Sequence, residues 1–348
     1  MPLRIVLDAM GTDGAPVGDV AGAVEAVLGS EPERFDLILV GKSDAIEAEL
    51  RSVDADARKR ITVRDAAEVI AMDEEPAQAV RSKRNSSIVV GLGMQPAGEA
   101  DAFVSAGNTG AVMAASTFIL GRIPGISRPT IASQFPAENG FTIVADVGAN
   151  VDTKARNLYE FAVMTSIYAE QIFGYANPTV GLLNVGEEEG KGEARVVEAY
   201  DLLKESGLNF IGNVEGRDIL KGRANVVICD GFVGNILLKF AESVNGLLRA
   251  KLMAYAASSA PRKVMAGLSR TTLRGVFRDM NYEEYGGVPL LGVNGVSIIG
   301  HGGSSPKAIR NMIFKAEEMA RKDVNGKIAR AVGREKGREG EREKGESE

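Results

Sequence analysis

The chain has 348 residues, 45% of them hydrophobic, 5% aromatic and none tryptophan, with a formal net charge of −6. Such a length fits one large α/β domain or two smaller ones, and the acidic balance with few aromatics argues against a nucleic-acid partner. A single cysteine, Cys229, excludes an intrachain disulfide and a Cys-rich zinc site.

From residue 3 to about 325, apolar strand-like runs alternate with helical stretches, and eight of the runs end in a small polar turn. Ile5–Leu7 enters Asp8-Ala9-Met10-Gly11, and Leu37–Val40 enters Gly41-Lys42-Ser43. Ala102–Val104 enters Ser105-Ala106-Gly107-Asn108-Thr109-Gly110, and Thr142–Ala145 enters Asp146-Val147-Gly148-Ala149-Asn150. Val180–Leu183 enters Asn184-Val185-Gly186-Glu187, followed by Ile211-Gly212-Asn213 and by Val226–Ile228 into Cys229-Asp230-Gly231. Ile298-Ile299 closes the series at Gly300-His301-Gly302-Gly303-Ser304-Ser305. Such runs predict buried parallel strands of an α/β sheet. Helices are predicted at 17–29, 43–52, 85–97, 109–121, 154–173, 192–206, 231–255 and 305–323. Loops at strand ends form the ligand crevice of such sheets, and their free N–H groups and helix N-termini suit an anion, phosphate above all.

Residues 243–278 carry Arg249, Lys251, Arg262, Lys263, Arg270, Arg274 and Arg278 and no acid. Leu247, Leu248, Leu252, Met253 and Tyr255 precede Pro261; Val264, Met265, Leu268, Leu273, Val276 and Phe277 follow it. A helical hairpin is predicted, apolar on one side and basic on the other, suited to an anionic membrane surface or an acidic partner. An ordinary dimer-packing hairpin with a solvated basic face is the other reading. Residues 1–330 are read as one α/β domain, and 331–348 as a disordered, charged tail. No apolar run approaches the ~20 residues of a spanning helix, and no signal peptide is recognised at the start. A cytoplasmic protein is expected, with any membrane contact peripheral.

Lys191 stands between Gly190 and Gly192, where backbone freedom leaves its ammonium uncrowded. It is either a phosphate ligand or a surface lysine. Neither a GxxxxGK[ST] nucleotide loop nor a GxGxxG after the first strand is present. Asn108, Asn150, Asn184, Asn213 and Asn235 all fall in strand-end turns; each alone would be a turn former, and together they suggest a neutral hydrogen-bonding site at one sheet edge. His301 is the only histidine, and no GxSxG elbow accompanies it. Ser304 or Ser305 would cap the following helix, with Pro306 at its first position. Glu187, Glu188, Asp146 and Asp152 lack the tight spacing of a metal site, and Cys229 reads as an inert core thiol. No metal or cofactor is expected.

DAMGTDGAP at 8–16, SAGNTGA at 105–111, DVGANVD at 146–152, NVGEEEGKG at 184–192, GNVEGRDI at 212–219, CDGFVGNILLK at 229–239 and YGGVPLLGVNGVSIIGHGGSS at 285–305 together resemble the PlsX family. The resemblance implies a three-layer αβα fold like that of isocitrate and isopropylmalate dehydrogenases, with the helical hairpin protruding from it. It implies a homodimer, peripheral membrane association, and transfer of a long-chain acyl group from acyl carrier protein to inorganic phosphate. The acyl phosphate would feed an integral membrane glycerol-3-phosphate acyltransferase in phospholipid synthesis. Lys191 and Asn235 are then the expected catalytic residues. Asp8, Gly11, Ser105, Asn108, Thr109, Asn150, Asn184, Gly190, Gly192, Asp230, Gly231, His301 and Ser304 are the expected phosphate or substrate positions. Arg262, Lys263, Val264, Met265, Leu268, Arg270 and Arg274 are the expected membrane or carrier-protein contacts. One motif departs: the family's DAMGGDHAP has Thr12 and Gly14 here in place of its second glycine and its histidine. Phosphate is already substantially dianionic near neutral pH, so attack on a thioester does not require that base. A catalytically impaired, membrane-associated carrier-protein-binding scaffold is the alternative, with the altered first motif as its support. A short-chain enzyme using acyl-coenzyme A and a metal-dependent dehydrogenase of the same fold fit less well.

Overall fold

The computed structural model describes residues 2–269, 271, 272, 275 and 284–333. Arg270, Arg274 and all but the first three residues of the expected tail lie outside the described residues.

The strands are β1 (Leu3–Asp8), β2 (Phe35–Gly41), β3 (Ile61–Asp65), β4 (Ala102–Ser105), β5 (Thr130–Ala137), β6 (Gly140–Ala145), β7 (Thr179–Leu183), β8 (Asn209–Val214), β9 (Val226–Ile228), β10 (Val288–Leu291) and β11 (Val296–Ile299). They form one sheet in the order β3-β2-β1-β4-β11-β10-β5-β6-β9-β7-β8. Strand alternation divides the core into two layers. Ile5, Leu7, Leu37, Leu39, Ile143 and Ile228 face one way, with helices Val17–Leu28, Ala155–Phe173, Ala194–Lys204 and Pro306–Arg321 over them. Val6, Val40, Phe103, Val144 and Val227 face the other way, under Ser87–Gly93, Thr109–Ile119 and Gly216–Lys221. Helices on both faces explain why the strands read as unbroken apolar runs.

The sheet is mixed. β1 to β4 and β11 run parallel to one another, as do β6, β9, β7 and β8. Between the two sets, β10 is antiparallel to β11 and to β5, and β5 is antiparallel to β6. Three reversals leave the two sets antiparallel, so their carboxyl ends open on opposite edges of the sheet. The expectation of one common edge for the five asparagines is corrected by this geometry.

The helix Gly231–Ala257 starts from an Asp230 cap, whose Oδ1 accepts from Phe232 N and Val233 N at 2.9 and 3.0 Å. After Ser258, Ser259 caps a second helix, Ala260–Leu268, that opens on Pro261. Arg262 lies over the Tyr255 ring, 4.6 Å from its centroid, tying the two helices. No helix among the described residues is long and apolar enough to cross a membrane. Near the C-terminus the helix at 324–333 buries Val324, Ile328 and Val332, spaced one turn apart. The expected boundary at 330 is corrected to 333 at the least, because Val332 belongs to the core.

Candidate active site

β6, β9, β7 and β8 deliver their turns to one edge. The first turn is organised by Asp146, whose buried carboxylate accepts from Ile131 N, Gly148 N, Ala149 N, Asn150 N and Asn150 Nδ2 at 2.7–3.3 Å. Burial pushes the Asp146 carboxyl up from its ordinary range, against those hydrogen bonds. The second amide hydrogen of Asn150 goes to Pro129 O at 2.7 Å, so this side chain is spent on the loop. Cys229 sits beneath, its Sγ 3.5 Å from Asp146 O. Burial first, then the Asp146 and Asp230 charges, push its thiol far up, as an inert cysteine requires.

The β7 turn carries Lys191. Asn184 pins that loop at its base: its Nδ2 donates to Lys191 O at 2.8 Å and its Oδ1 accepts from Val185 N at 2.8 Å. Gly192 follows with φ +93°, and a Cβ there would run into the Asn184 side chain. Only glycine meets both demands. Asn213, expected in a turn, lies within β8 itself, and its Nδ2 donates to Glu188 O at 2.8 Å. The Lys191 ammonium itself stays exposed, with Glu188 Oε1 3.9 Å away.

Asn235 belongs to the second turn of the helix that Asp230 caps. It packs over Gly148, where a Cβ would meet its side chain at 3.4 Å. Its amide makes no hydrogen bond among the described residues. Gly231 sets the start of this helix against the first turn, with its N–H donating to Asn150 O at 2.8 Å. Arg195, which opens the helix after the Lys191 loop, joins the three turns. Its Nη2 lies 3.1 Å from Asp230 Oδ2, its Nη1 3.3 Å from Thr153 Oγ1 and its Nε 2.8 Å from Glu193 Oε2.

The structure thus brings Lys191, Gly190, Gly192, Asn184, Asn150, Asp230, Gly231 and Asn235 to one edge. Asp8, Gly11, Ser105, Asn108, Thr109, His301 and Ser304 stand at the other, where Asp8, Gly11, Ser105 and Asn108 are buried in a packed joint, Ser304 is half-buried, and Thr109 and His301 are exposed. Ser105 Oγ donates to the buried Asp8 carboxyl at 2.7 Å, and Met10 N donates at 3.0 Å. Asn108 Oδ1 caps the helix that starts at Thr109, by accepting from Ala111 N at 3.0 Å. Its Nδ2 serves Ala71 O, Met72 O and Glu74 O at 3.0–3.2 Å. His301 is exposed, its Nδ1 accepting from Gly303 N at 3.1 Å. Ser305, not Ser304, caps the helix that opens at Pro306. Thr12, the departure in the first motif, donates to the fully buried Asp19 at 2.5 Å. Burial, reinforced by the neighbouring Asp8 charge, raises the Asp19 carboxyl to about 7.

Two residues had not been singled out as site groups from the sequence. Arg195 shows no motif, being one arginine in an amphipathic helix; the proline-free path from Lys191 into that helix was its only trace. Asp19 lies in a helix read as ordinary. On the two helices after Asp230, Val264, Met265 and Leu268 are 63, 67 and 80% exposed, beside exposed Arg262 and Lys263.

Against known proteins, residues 3–327 match the family model described as fatty acid synthesis protein. A phosphate acyltransferase of Heliobacterium modesticaldum is 52% identical over 316 residues, 91% of this chain and 93% of that one. A phosphate acyltransferase of Chlorobaculum parvum is 48% identical over 336 residues, covering 94% and 98%. Among solved structures, a phosphotransacetylase from Streptococcus pyogenes aligns over 92% of this chain and 94% of its own with a TM-score of 0.62; at 20% identity it shows a shared fold. The chain belongs to the fatty acid synthesis protein family, as the resemblance of its motifs implied, and it is an acyltransferase.

Proposed function

We propose that this enzyme transfers a long-chain acyl group from acyl carrier protein to inorganic phosphate at the edge where Lys191 and Asn235 stand. One observation carries the reading. At the edge where β6, β9, β7 and β8 end, the Lys191 ammonium and the Asn235 amide are exposed and, among the described residues, stand outside the scaffolding hydrogen bonds that occupy Asn150, Asn184 and Asn213. Lys191 holds the phosphate dianion as a point charge. Asn235 donates to the thioester oxygen as it becomes an oxyanion, or to phosphate. A phosphate oxygen attacks the carbonyl carbon, the C–S bond breaks, and the phosphate proton passes to the departing thiolate. Acyl phosphate and free carrier thiol result. The chemistry needs no covalent nucleophile, in keeping with the buried, high-pKa Cys229.

The exposed apolar and basic side chains of 243–269 support peripheral binding at an anionic membrane. There the product would pass to an integral membrane glycerol-3-phosphate acyltransferase. We read the three-layer architecture as the isocitrate dehydrogenase kind and the active species as a homodimer. Incubation with palmitoyl-carrier protein and phosphate tests the chemistry. Phosphate-dependent release of carrier thiol, with an acyl phosphate trapped by hydroxylamine, is expected. Thiol release that ignores phosphate, or turnover confined to short-chain acyl-coenzyme A, would overturn the assignment.

A further inference from the structure

We propose that Arg195 is a positioning residue for acyl transfer, a clamp that holds the Lys191 loop, the turn after β6 and the helix bearing Asn235 in one frame. This rests on the reading that Lys191 and Asn235 form the reaction site. The residue sits where the three parts meet: it follows Lys191 by four positions, and its Asp230 partner precedes Asn235 by five. Its planar head makes a contact in each direction, to Glu193 at 2.8 Å, Asp230 at 3.1 Å and Thr153 at 3.3 Å. Two of those anchors are nearly buried, Asp230 at 7% and Thr153 at 4% exposed. Asp230 is doubly committed, with one oxygen on Arg195 and the other on the first N–H groups of the helix. Moving Arg195 therefore moves the cap from which Asn235 is measured.

Charge decides between clamp and ligand. Glu193 and Asp230 both lie within ion-pair distance of the guanidinium, so it presents no net positive charge to a dianion. Among the described residues Lys191 pairs with Glu188 alone, at 3.9 Å and with both side chains mostly exposed, a pair of little strength. Phosphate can displace that contact. The Lys191 loop has Asn184 and Asn213 behind it, but only Arg195 links it to the Asn235 helix through side chains described here. A lysine at 195 would offer one compact charge and could not span three acceptors in the plane of a fork. Misplacing reacting groups by ~1 Å costs on the order of 100-fold in rate, which sets the scale of what such a clamp protects.

The test is a mutant cycle on phosphate-dependent thiol release. Arg195→Met is expected to lower kcat by roughly 10- to 100-fold, and Arg195→Lys to recover little of it. In a background lacking both groups it positions, Lys191→Ala with Asn235→Ala, the same Arg195→Met change should cost less than about twofold, because a clamp has no effect once those groups are gone. A merely stabilising arginine would give losses that multiply, and multiplying losses overturn the proposal. So does a wild-type rate for Arg195→Met, which leaves the site assignment standing if Lys191→Ala is impaired. Full activity of Lys191→Ala overturns the site assignment and the clamp together. Should Arg195→Met fail to fold, Thr153→Val removes one anchor at nearly constant shape. It should lose about threefold with the same non-additivity, and full activity in that variant overturns the clamp.

Discussion

The two edges of the sheet use the same residue types in opposite ways. At the Asp8 edge, carboxyls are buried and their protons held tightly, and the asparagine is consumed by a helix cap and three carbonyls. At the Asn235 edge the carboxylate Asp146 is likewise buried, but it organises a turn over which an uncommitted amide stands, with a lysine on the neighbouring loop. A strand-end turn becomes a site only where some donors remain unspent after the backbone has been satisfied.

The largest expected effect falls on the second edge. Asn235→Asp adds a negative charge beside a dianion, and turnover should drop by about 1,000-fold, roughly 4 kcal/mol, with little change in Tm. Lys191→Ala should follow closely, raising the phosphate requirement as one charge-assisted contact worth roughly 2–4 kcal/mol disappears. Wild-type phosphate dependence in either variant would erase the distinction between the edges.

At the first edge the effect should be on stability. Below about pH 4 Asp19 is protonated whether the chain is folded or not, since its ordinary value is 3.8. Between there and about 7 the unfolded chain releases the proton and the folded chain keeps it, so stability falls as pH rises. Asp19→Asn should reduce this slope, read from Tm against pH, by an amount on the order of a few kcal/mol, leaving the part that comes from Asp8 and Asp146, whose carboxyls burial also raises. An unaltered slope would show that Asp19 is not the group responsible.

The strands that build both edges were largely legible in the chain, the division between the edges was not, and the reason is physical. Every strand that ends in a polar turn was found, because burial on both faces leaves an unbroken apolar run. β3, which reads ITVRD and fully buries only Ile61, was not, nor were β5 and β10. β5 reads TIASQFPA, with Gln134 and Pro136 interrupting it, and β10 is four residues between Gly286-Gly287 and Gly292. These are the strands that reverse the sheet, so missing them merged two edges into one. The roles proposed for Lys191 and Asn235 come from the resemblance of their motifs, whereas Arg195 pairs with partners 42 and 35 positions away, a pairing only the fold supplies.

Smaller effects sharpen the account. Asn150→Ala removes bonds to Asp146 and Pro129 O and should cost roughly 1–3 kcal/mol, read from the urea midpoint; a midpoint equal to wild type would mean the turn holds itself. Replacing Val264, Met265 and Leu268 with serine should change stability least, within about 0.5 kcal/mol, since these side chains already face solvent. The same variant should no longer pellet with anionic vesicles while keeping its activity on soluble carrier protein. If it pellets as before, or if the wild type never does, the basic face is better read as a dock for the acidic carrier protein.

The order of the strands also dictates a sequence of events during synthesis. β5 to β9 come from one continuous stretch, 130 to 228, so the layer that carries the Lys191 and Asn235 turns can pair as soon as that stretch leaves the ribosome. The other layer is stitched from both ends: β4 needs β11 beside it, and the helix Val17–Leu28 needs Pro306–Arg321 against it. Residues 3–105 must therefore wait, with one strand edge and one helix face uncovered, until nearly the whole chain has been made. A nascent chain halted near residue 270, with 130–228 clear of the ribosome, should accordingly protect that stretch from proteolysis before residues 3–105.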